Sequence, residues 1–351
     1  MRARLSVAVV APLVAPLSDA HPYGNQHLLC DLARGLDERG HDVVIYAAAG
    51  STVPGVAVET VDVDPRVQRR FVLLRENACD ETDAMQRVFD ALFARLQHGR
   101  HDVVSQHAFD REAIAGCAGL PVLHTLHLPP MRADIVATVR DCSEPLATVS
   151  QHCAAAWSKA LGRDVIALPN GVPDFVPPCE APIDDIALSA GRISREKGTV
   201  TAVRAGRAAG LRPLVVGEVY DRDYFDGEVA AALGESRVVA PMPRSSLARI
   251  MAHAAVVLMP VEWDEPFGLV AAEAQLAGCP VVGYRRGALP EVVEDGIGGF
   301  LVDAGDEDAL VAAIGRARML DRRAIRRRAL HAFSMSACVE RHEAALLGLL
   351  Q

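Results

Sequence analysis

The sequence predicts an α/β protein built from two doubly wound, parallel-sheet domains, and three observations support this. The chain has 351 residues, more than one ordinary core holds and about right for two domains of ~175 residues each. Short apolar runs alternate with helical patterns along most of its length. These runs are continuously apolar, which is typical of strands buried on both faces of a parallel sheet.

In the first half of the chain, six short apolar runs predict the strands of the first sheet. They cover residues 5–11, 42–46, 102–105, 121–125, 146–149 and 165–168. Helical patterns lie between them, for example over residues 26–39, 83–98 and 151–161, and Gly40 is a typical stop signal for the first of these helices. Strands that alternate with helices in this way predict βαβ units and a doubly wound sheet.

The opening residues allow two interpretations. Arg2 and Arg4, followed by an apolar stretch to Leu17, resemble the start of a secretory signal peptide. Two prolines inside that stretch, Pro12 and Pro16, and the helix that follows favour a buried first strand instead. The eight cysteines are scattered and contain no C-x-x-C, which is typical of reduced thiols in a cytoplasmic protein.

Charge and hydropathy argue against several kinds of partner. Lys and Arg number 36 against 45 Asp and Glu, a net charge of −9 that disfavours nucleic acid and anionic membranes. No apolar run reaches the ~18 residues of a spanning helix, so no membrane insertion is expected. Five arginines crowd residues 322–328 of a predicted helix, and this pattern predicts a solvated helix face.

The second half restarts the same alternation after a proline-rich linker at residues 172–182. Apolar runs at 186–190, 213–216, 255–259 and 280–283 predict strands, and helical patterns cover 199–209, 221–233 and 269–277. The tail, 324–350, is helical with a break near 334–336. The linker therefore predicts a first domain over 1–171 and a second over 172–331. In doubly wound domains, nucleotides bind at the carboxyl ends of the strands, and a cleft between the two domains is expected there.

Two carboxylates separated by seven residues form the most informative motif. Glu265 and Glu273 flank Pro266, which suits the first turn of a helix, and Gly268, which lets the backbone approach a ligand closely. Glu273 then lies about five residues into the helix, an axial rise of ~8 Å. Both carboxylates can accept hydrogen bonds from sugar hydroxyls, while free amides at the helix start meet phosphate. The alternative is that Glu265 is an ordinary first-turn residue and Glu273 belongs to a solvated face.

A basic loop between a predicted strand and a predicted helix forms the second motif. Residues 191–198 read GRISREKG, in which Arg192 can bind phosphate oxygens with two donors and Lys197 places a charge beside the helix start. No Walker sequence is present, so ATP-type chemistry is not implied. A solvated surface loop is the alternative.

Taken together, these motifs and their order resemble a family of sugar-transferring enzymes. The chain is similar over nearly its whole length to the family-4 glycosyltransferases, retaining enzymes of the two-domain GT-B fold with Rossmann-like domains. The segments that carry the resemblance are Tyr23-Gly24, 32–43, 125–127, 147–150, 167–172, 190–198, the E-x7-E segment, 273–282 and 287–302.

The resemblance implies roles for residues of the second domain. Arg192 and Lys197 match the pair that neutralises the donor diphosphate, Glu265 the carboxylate that holds a donor-sugar hydroxyl, and Glu273 the ribose ligand. The backbone amides of Phe267, Gly268 and Leu269 match the family's amides that hold sugar hydroxyls and phosphate.

It also implies roles in the first domain. Gly24 matches the loop glycine that closes on the diphosphate, and His127 the histidine near the transferred sugar. A C-terminal helix, about 332–351, is expected to cross back and complete the first domain. Asn25 stands where the family has a second glycine, and Val261 where it has a serine; both departures concern acceptor geometry rather than donor binding.

The resulting prediction is a cytoplasmic, retaining hexosyltransferase that uses a nucleotide-diphosphate sugar, UDP being favoured, and a small-molecule acceptor. The leaving diphosphate is stabilised by cations and helix amides, so neither a metal nor any other cofactor is expected. His124 and His127, three apart on a strand, face opposite sides and are not expected to share a metal. Alternatives are a nucleotide-sugar epimerase or hydrolase on the same fold, or a non-catalytic nucleotide-sugar binding protein. A dehydrogenase is disfavoured because no G-x-G-x-x-G follows the first strand.

Overall fold

The structure, a computed structural model, describes residues 4–18, 24–64, 82–175, 184–234 and 236–351. It divides into two compact units. The first comprises Met1–Gly171 together with Met335–Gln351, and the second comprises Val172–Ser334. None of the helices in the described ranges combines the length and the apolar character needed to cross a membrane.

The first unit is built around a parallel sheet of seven strands in the order β3-β2-β1-β4-β5-β6-β7. The strands are β1 (Ser6–Val10), β2 (Asp42–Ala48), β3 (Ala57–Val61), β4 (Val103–Gln106), β5 (Val122–Leu126), β6 (Leu146–Thr148) and β7 (Ile166–Ala167). The helices are α1 (Gly24–Glu38), α2 (Thr82–Gly99), α3 (Arg111–Ala115), α4 (Ala133–Asp141), α5 (Gln151–Leu161) and, at the carboxyl end of the chain, α14 (Met335–Gly348).

Burial explains why these apolar runs are strands. Every residue of β4 and β5 is buried, and β1 lies between β2 and β4, with Val9 in register with Ile45 and Ser105. Alternate side chains of β1 therefore enter the cores on opposite faces of the sheet. Helix α14 packs on α1 with so little space that a β-carbon on Gly35 would lie 2.4 Å from Val339 Cγ2.

The second unit repeats the architecture with a six-stranded parallel sheet in the order β10-β9-β8-β11-β12-β13. The strands are β8 (Ile186–Ala190), β9 (Arg212–Val216), β10 (Val238–Val239), β11 (Val256–Met259), β12 (Val281–Tyr284) and β13 (Gly299–Val302). The helices are α6 (Thr199–Ala208), α7 (Arg222–Tyr224), α8 (Ala230–Leu233), α9 (Arg244–His253), α10 (Leu269–Leu276), α11 (Leu289–Val292), α12 (Glu307–Ala317) and α13 (Arg322–Phe333). A 3₁₀ turn, Arg195–Lys197, precedes α6, and a π-helical segment, Phe225–Val229, joins α7 to α8.

The predicted fold class of two parallel-sheet α/β domains is confirmed, and the predicted break in the tail lies at Ser334. The apolar runs missed several elements, among them β3, α4, α9 and β13. Strand β3 lies at the sheet edge with alternating exposure, so it lacks a continuous apolar run. The proline-rich segment is described only to Phe175, and its remainder lies outside the described residues.

The arginine side chains of helix α13 do not form the solvated face that the sequence predicts. Arg322 donates to the Ala254 and Ala252 carbonyls, Arg326 to the Leu276 carbonyl, and Arg328 to the Val292 carbonyl at 2.9 Å. Carbonyls at helix ends and in loops need donors, and long arginine side chains supply them. The prediction was wrong for these three residues because periodicity does not show which polar side chains cap a neighbouring element.

Candidate active site

Each sheet has one position where the strand order reverses, and in open α/β sheets ligands bind beside it, outside the carboxyl ends of the strands. In the second sheet it falls between β8 and β11. The basic loop follows β8, and the segment with the two glutamates follows β11, so the fold brings both sequence motifs to this position. The Glu262 amide donates to the Glu196 carbonyl at 2.9 Å and fastens the two loops together.

Lys197 and Glu265 form the centre of this arrangement. Lys197 Nζ lies 2.7 Å from Glu265 Oε2, and the two side chains are 22% and 11% exposed. Trp263 donates its indole N–H to the same oxygen at 2.7 Å, and its ring lies 4.6 Å from Lys197 Nζ. An ammonium has three donors, so one bond to Glu265 leaves capacity for phosphate oxygens. The arrangement holds a cation and an oriented carboxylate together at a half-buried site.

Arg192 lies at the start of the same loop and remains accessible, with 30% of its side chain exposed. Its guanidinium is 4.9 Å from the centre of the Tyr220 ring, and one nitrogen is 3.4 Å from Glu196 Oε1. Glu196 is also the acceptor of a 2.6 Å hydrogen bond from the Ser194 hydroxyl. The planar guanidinium is therefore supported on one face while its donors can still turn to an anion.

Helix α10 begins directly after the segment that carries Glu265. Its N-cap residue, Gly268, has φ +96°, a left-handed conformation that side chains other than glycine rarely adopt. Gly287 approaches from the other side, where an added β-carbon would lie 2.3 Å from the Glu265 amide nitrogen. The Ala288 amide donates to the Glu265 carbonyl at 2.8 Å. These close backbone contacts fix the position of Glu265 relative to the start of the helix.

Glu273 is the fifth residue of α10, as the spacing predicts, and it pairs with a residue that no sequence motif identified. Arg244, at the start of α9, places Nε 3.2 Å from Glu273 Oε1, and both side chains are about 15% exposed or less. The Arg244 guanidinium also lies 5.1 Å from the Phe175 ring centre. Glu273 is thus a held carboxylate rather than part of a freely solvated face.

In the first unit, the corresponding position between β1 and β4 carries histidines. His107 follows β4 and His127 follows β5, and His107 Nδ1 lies 2.9 Å from His127 Nε2. The Ser105 hydroxyl is 2.8 Å from His107 Nε2, and the ring of His342 from α14 is centred 6.0 Å from that of His107. Ser105, His107 and His127 therefore form a hydrogen-bonded chain that ends at the carboxyl edge of the sheet.

These histidines are neutral near pH 7. Burial lowers the pKa of His127 to about 4, and burial together with the nearby His127 and Arg341 lowers the pKa of His342 to about 3. The pKa of His107 is held well below its usual value by burial and by its two histidine neighbours. Neutral rings can donate at one nitrogen and accept at the other, which suits contacts with hydroxyl groups.

The sequence-predicted residues thus lie at the carboxyl edges of their own sheets. In the second unit, Arg192, Lys197, Glu265, Glu273 and the α10 start surround one switch point. In the first unit, Gly24 is the first residue of α1, in the connection that follows β1. Tyr23, which precedes Gly24 in the resemblance to the family, lies outside the described residues.

Sequence reasoning gave no role to three residues that the structure places in these sites: Trp263, Arg244 and His342. Trp263 is one of only two tryptophans in the chain and lies two residues before Glu265. This proximity could have identified it as a site residue. Arg244 and His342 are distant in sequence from the residues they face, so no local pattern identifies them.

Comparison with known proteins places the chain among the glycosyltransferases. Residues 24–174 match the profile described as Glycosyltransferase Family 4, and residues 180–329 match Glycosyl transferases group 1. A D-inositol 3-phosphate glycosyltransferase of Acidothermus cellulolyticus is 28% identical over an alignment that covers 88% of this chain and 82% of the relative.

Solved structures share the fold. A sucrose-phosphate synthase of Thermosynechococcus elongatus superposes with a TM-score of 0.80 at 19% identity, covering 99% of each chain. HepE of Anabaena, in complex with UDP and glucose, superposes with a TM-score of 0.76 at 17% identity, covering 98% of this chain and 100% of that one.

Two parallel-sheet α/β units, each with polar residues gathered at its switch point, and matches to two sugar-transferase profiles define a glycosyltransferase of the GT-B fold class. The chain belongs to the family-4 glycosyltransferases.

Proposed function

We propose that the enzyme is a retaining, metal-independent hexosyltransferase that moves a sugar from a UDP-sugar donor to a hydroxyl group of a small-molecule acceptor. The observation that carries the proposal is the ion pair between Lys197 and Glu265, which joins the basic loop to the start of α10 at the switch point of the second sheet. It sets an anion-binding cation beside an oriented carboxylate, the two requirements of a nucleotide-sugar site.

In the proposed chemistry, the bond between the sugar and the β-phosphate breaks and the diphosphate departs with negative charge. Arg192 and Lys197, together with the free amides of Phe267, Gly268 and Leu269 at the start of α10, stabilise this developing charge. Two side-chain cations and a helix N-terminus take the place of a divalent ion, so the transfer needs none.

Glu265 acts by orientation. Lys197 and Trp263 both donate to Oε2, which leaves Oε1 to accept from a donor-sugar hydroxyl. The two donors draw on the negative charge of the carboxylate, so in this proposal Glu265 positions the sugar and does not attack it. Attack by the acceptor on the face that the diphosphate leaves, with a phosphate oxygen taking the acceptor proton, gives retention without a covalent intermediate.

In the proposed chemistry, His127 contacts the transferred sugar. The chain Ser105–His107–His127 fixes its ring, and a neutral imidazole can bond a hydroxyl of the transferred sugar without repelling a cation-like transition state. Gly24 would close on the diphosphate, and Glu273 would accept from the ribose hydroxyls, sharing its carboxylate between them and Arg244.

The UDP assignment is supported by the likeness to HepE, which is solved with UDP and glucose. The acceptor proposal starts from the relatives named D-inositol 3-phosphate glycosyltransferase, which makes an inositol phosphate the first acceptor to assay. The acidic chain and its scattered cysteines favour a cytoplasmic place of action and a free, water-soluble acceptor.

The test is a transfer assay with UDP-, GDP- and TDP-hexoses and with D-inositol 3-phosphate and unphosphorylated inositol as acceptors. We expect free UDP and a glycoside in equal amounts, with the anomeric configuration of the donor kept when the product is read by NMR. Isomerised donor, or free sugar without product, would instead favour an epimerase or a hydrolase. Binding without any turnover would favour a nucleotide-sugar binding protein.

Metal independence is tested in the same assay with EDTA. We expect the rate of transfer at saturating donor to be unchanged within twofold after chelation, because the charges that stabilise the diphosphate belong to the chain. A rate that falls by more than tenfold and returns with Mg²⁺ or Mn²⁺ would contradict the proposed mechanism.

A further inference from the structure

Three side chains with metal-binding atoms lie together in the first unit, away from the histidine chain. His124 belongs to β5, Cys142 follows α4, and Glu144 precedes β6; their ligand atoms all lie within 4.8 Å of one another. The Cys142 thiol donates to Glu144 Oε2 at 3.0 Å. Because Cys142 and Glu144 come before their strand, they lie at the amino edge of the sheet, whereas His127 lies at the carboxyl edge.

His124 supplies the second observation. Its side chain is completely buried, and neither ring nitrogen has a hydrogen-bond partner in the described part of the chain. A buried imidazole with two orphaned nitrogens costs free energy and is rare in native proteins. A ligand that satisfies one of these nitrogens removes part of that cost.

We propose that His124, Cys142 and Glu144 bind a single Zn²⁺ ion that stabilises the first unit. Imidazole nitrogen, thiolate sulfur and carboxylate oxygen are the three donor types that zinc uses in proteins. Metal–ligand distances of ~2.0–2.3 Å place neighbouring ligand atoms of a tetrahedral site about 3.5 Å apart. The three side chains therefore need to close by only about an ångström from their present separation.

The chemical state of the ligands suits this ion. Neither ring nitrogen of the buried His124 has a hydrogen-bond partner among the described residues, so a nitrogen lone pair is available to a metal ion. Zinc displaces the thiol proton of Cys142 to solvent and binds the sulfur as thiolate.

The position gives the ion a structural rather than a catalytic role. The Gly119 amide donates to Glu144 Oε1 at 3.2 Å, and the His124 amide donates to the Pro145 carbonyl at 3.1 Å. An ion held here ties the turn before β5 to the turn before β6. This proposal is independent of the proposed transfer reaction, whose residues lie at the opposite edge.

Cobalt provides a direct test, because Co²⁺ replaces Zn²⁺ in such sites and reports a bound thiolate by a charge-transfer band. The reduced full-length protein is freed of metal with a chelator and titrated with Co²⁺. We expect one equivalent to give the thiolate-to-cobalt band and the visible bands of a tetrahedral ion, both lost when Zn²⁺ is added.

Three variants assign the site. Cys142→Ser should abolish the thiolate band, and Glu144→Gln should weaken Co²⁺ binding at least tenfold while keeping the band at saturation. Cys153→Ser, at a buried cysteine of the same unit that lies outside the cluster, is the control and should behave as wild type. Zn²⁺ should raise the melting temperature of the wild type and of Cys153→Ser but not that of Cys142→Ser.

No thiolate band with wild type, or an equal band in Cys142→Ser, would overturn the proposal. If Cys142→Ser fails to fold, Glu144→Gln decides, since Glu144 is partly exposed: equal Co²⁺ affinity in that variant and wild type would also overturn it. UDP binding of the zinc-free protein, measured well below its melting temperature, should stay unchanged, which separates this site from the donor site.

Discussion

The two switch points of the molecule are built from opposite kinds of group. In the second unit, the carboxyl edge carries charges: Arg192, Lys197, Glu265 and the Glu273–Arg244 pair. In the first unit, the equivalent edge carries histidines whose pKa values are all lowered, so these rings are polar but uncharged at pH 7. The same doubly wound sheet therefore supports two different electrostatic environments.

The difference fits the two kinds of ligand in the proposed reaction. A diphosphate carries charge before and after transfer, so a site for it needs fixed cations, each held by a carboxylate that limits its motion. Sugar and acceptor hydroxyls are neutral, and groups that can both donate and accept serve them without the cost of burying a charge. The contrast thus supports a division into a nucleotide-binding second unit and a first unit that meets the hydroxyl groups.

Substitution of Lys197 is expected to have the largest effect on the charged site of the second unit. Lys197→Ala removes the cation and leaves Glu265 without its ion-pair partner, so we expect kcat/KM to fall by roughly 10²–10³, about 3–4 kcal/mol. Affinity for UDP, measured by titration calorimetry, should weaken as well. A variant that binds UDP as tightly as wild type would show that the loop does not meet the diphosphate.

Arg195→Ala is the matched control, since Arg195 lies in the same turn but pairs with Glu228 and has 60% of its side chain exposed. An exposed pair of this kind contributes little. We expect its kcat/KM to remain within about twofold of wild type, because the side chain contacts neither Glu265 nor the start of α10.

The neutrality of the buried histidines in the first unit is tested by changing the pH. His342 is buried with a pKa of about 3, while in the unfolded chain a histidine titrates near ~6.5. Below pH 6.5, His342 is therefore protonated in the unfolded chain but stays neutral in the folded one. The free energy of unfolding consequently decreases as the pH falls. At pH 5 the loss is about 2 kcal/mol, from ~1.5 pH units at 1.36 kcal/mol each.

His342→Leu removes this titration and places an apolar side chain of similar size at the same position. Urea unfolding at pH 7 and pH 5 should show a smaller loss of stability in His342→Leu than in wild type, with His107 and His127 contributing to both. Equal losses in the two proteins would show that His342 is already solvated in the folded state.

The sequence predicted the sheets well and the side-chain partners poorly, for a physical reason. Continuous apolar runs mark strands buried on both faces, and β8 and α5 are observed over the predicted residues. Edge strand β3 and helix α4 have half-exposed patterns and escaped detection. Burial leaves a periodic record along the chain, whereas an exposed edge does not.

The site residues divide in the same way. Glu265 and Lys197 belong to compact motifs whose spacing is visible in the sequence, but their direct contact joins residues 68 positions apart. Arg244 lies 29 residues from Glu273, and His342 comes from the last helix to the end of β4. Partners that only the fold brings together carry no local spacing, and the arginines of α13 were misread for that reason.

The next prediction tests whether Glu273 binds the ribose of the nucleotide. Glu273→Gln keeps the size of the side chain but weakens its acceptor strength toward ribose hydroxyls, and a hydrogen bond to a charged group is worth about 1.5 kcal/mol. We expect the donor KM to rise roughly tenfold while kcat falls less.

Arg244→Gln provides the control for Glu273→Gln, because it breaks the same ion pair and leaves the carboxylate in place. Its donor KM should change less than that of Glu273→Gln. Equal effects in steady-state kinetics would assign Glu273 to holding α9 against α10 instead of to the ribose.

Trp263 gives the smallest expected effect and the most specific one. Trp263→Phe keeps an aromatic ring near Lys197 but removes the indole N–H that donates to Glu265 Oε2. Since Lys197 still holds that oxygen, we expect UDP affinity to stay the same and kcat to fall about fivefold, the ~1 kcal/mol of one hydrogen bond. The fall appears in kcat because the bond orients the carboxylate toward the transferred sugar and not toward the diphosphate. A change in UDP affinity with constant kcat would instead assign the indole to the cation, and Glu265 would then need another source of orientation.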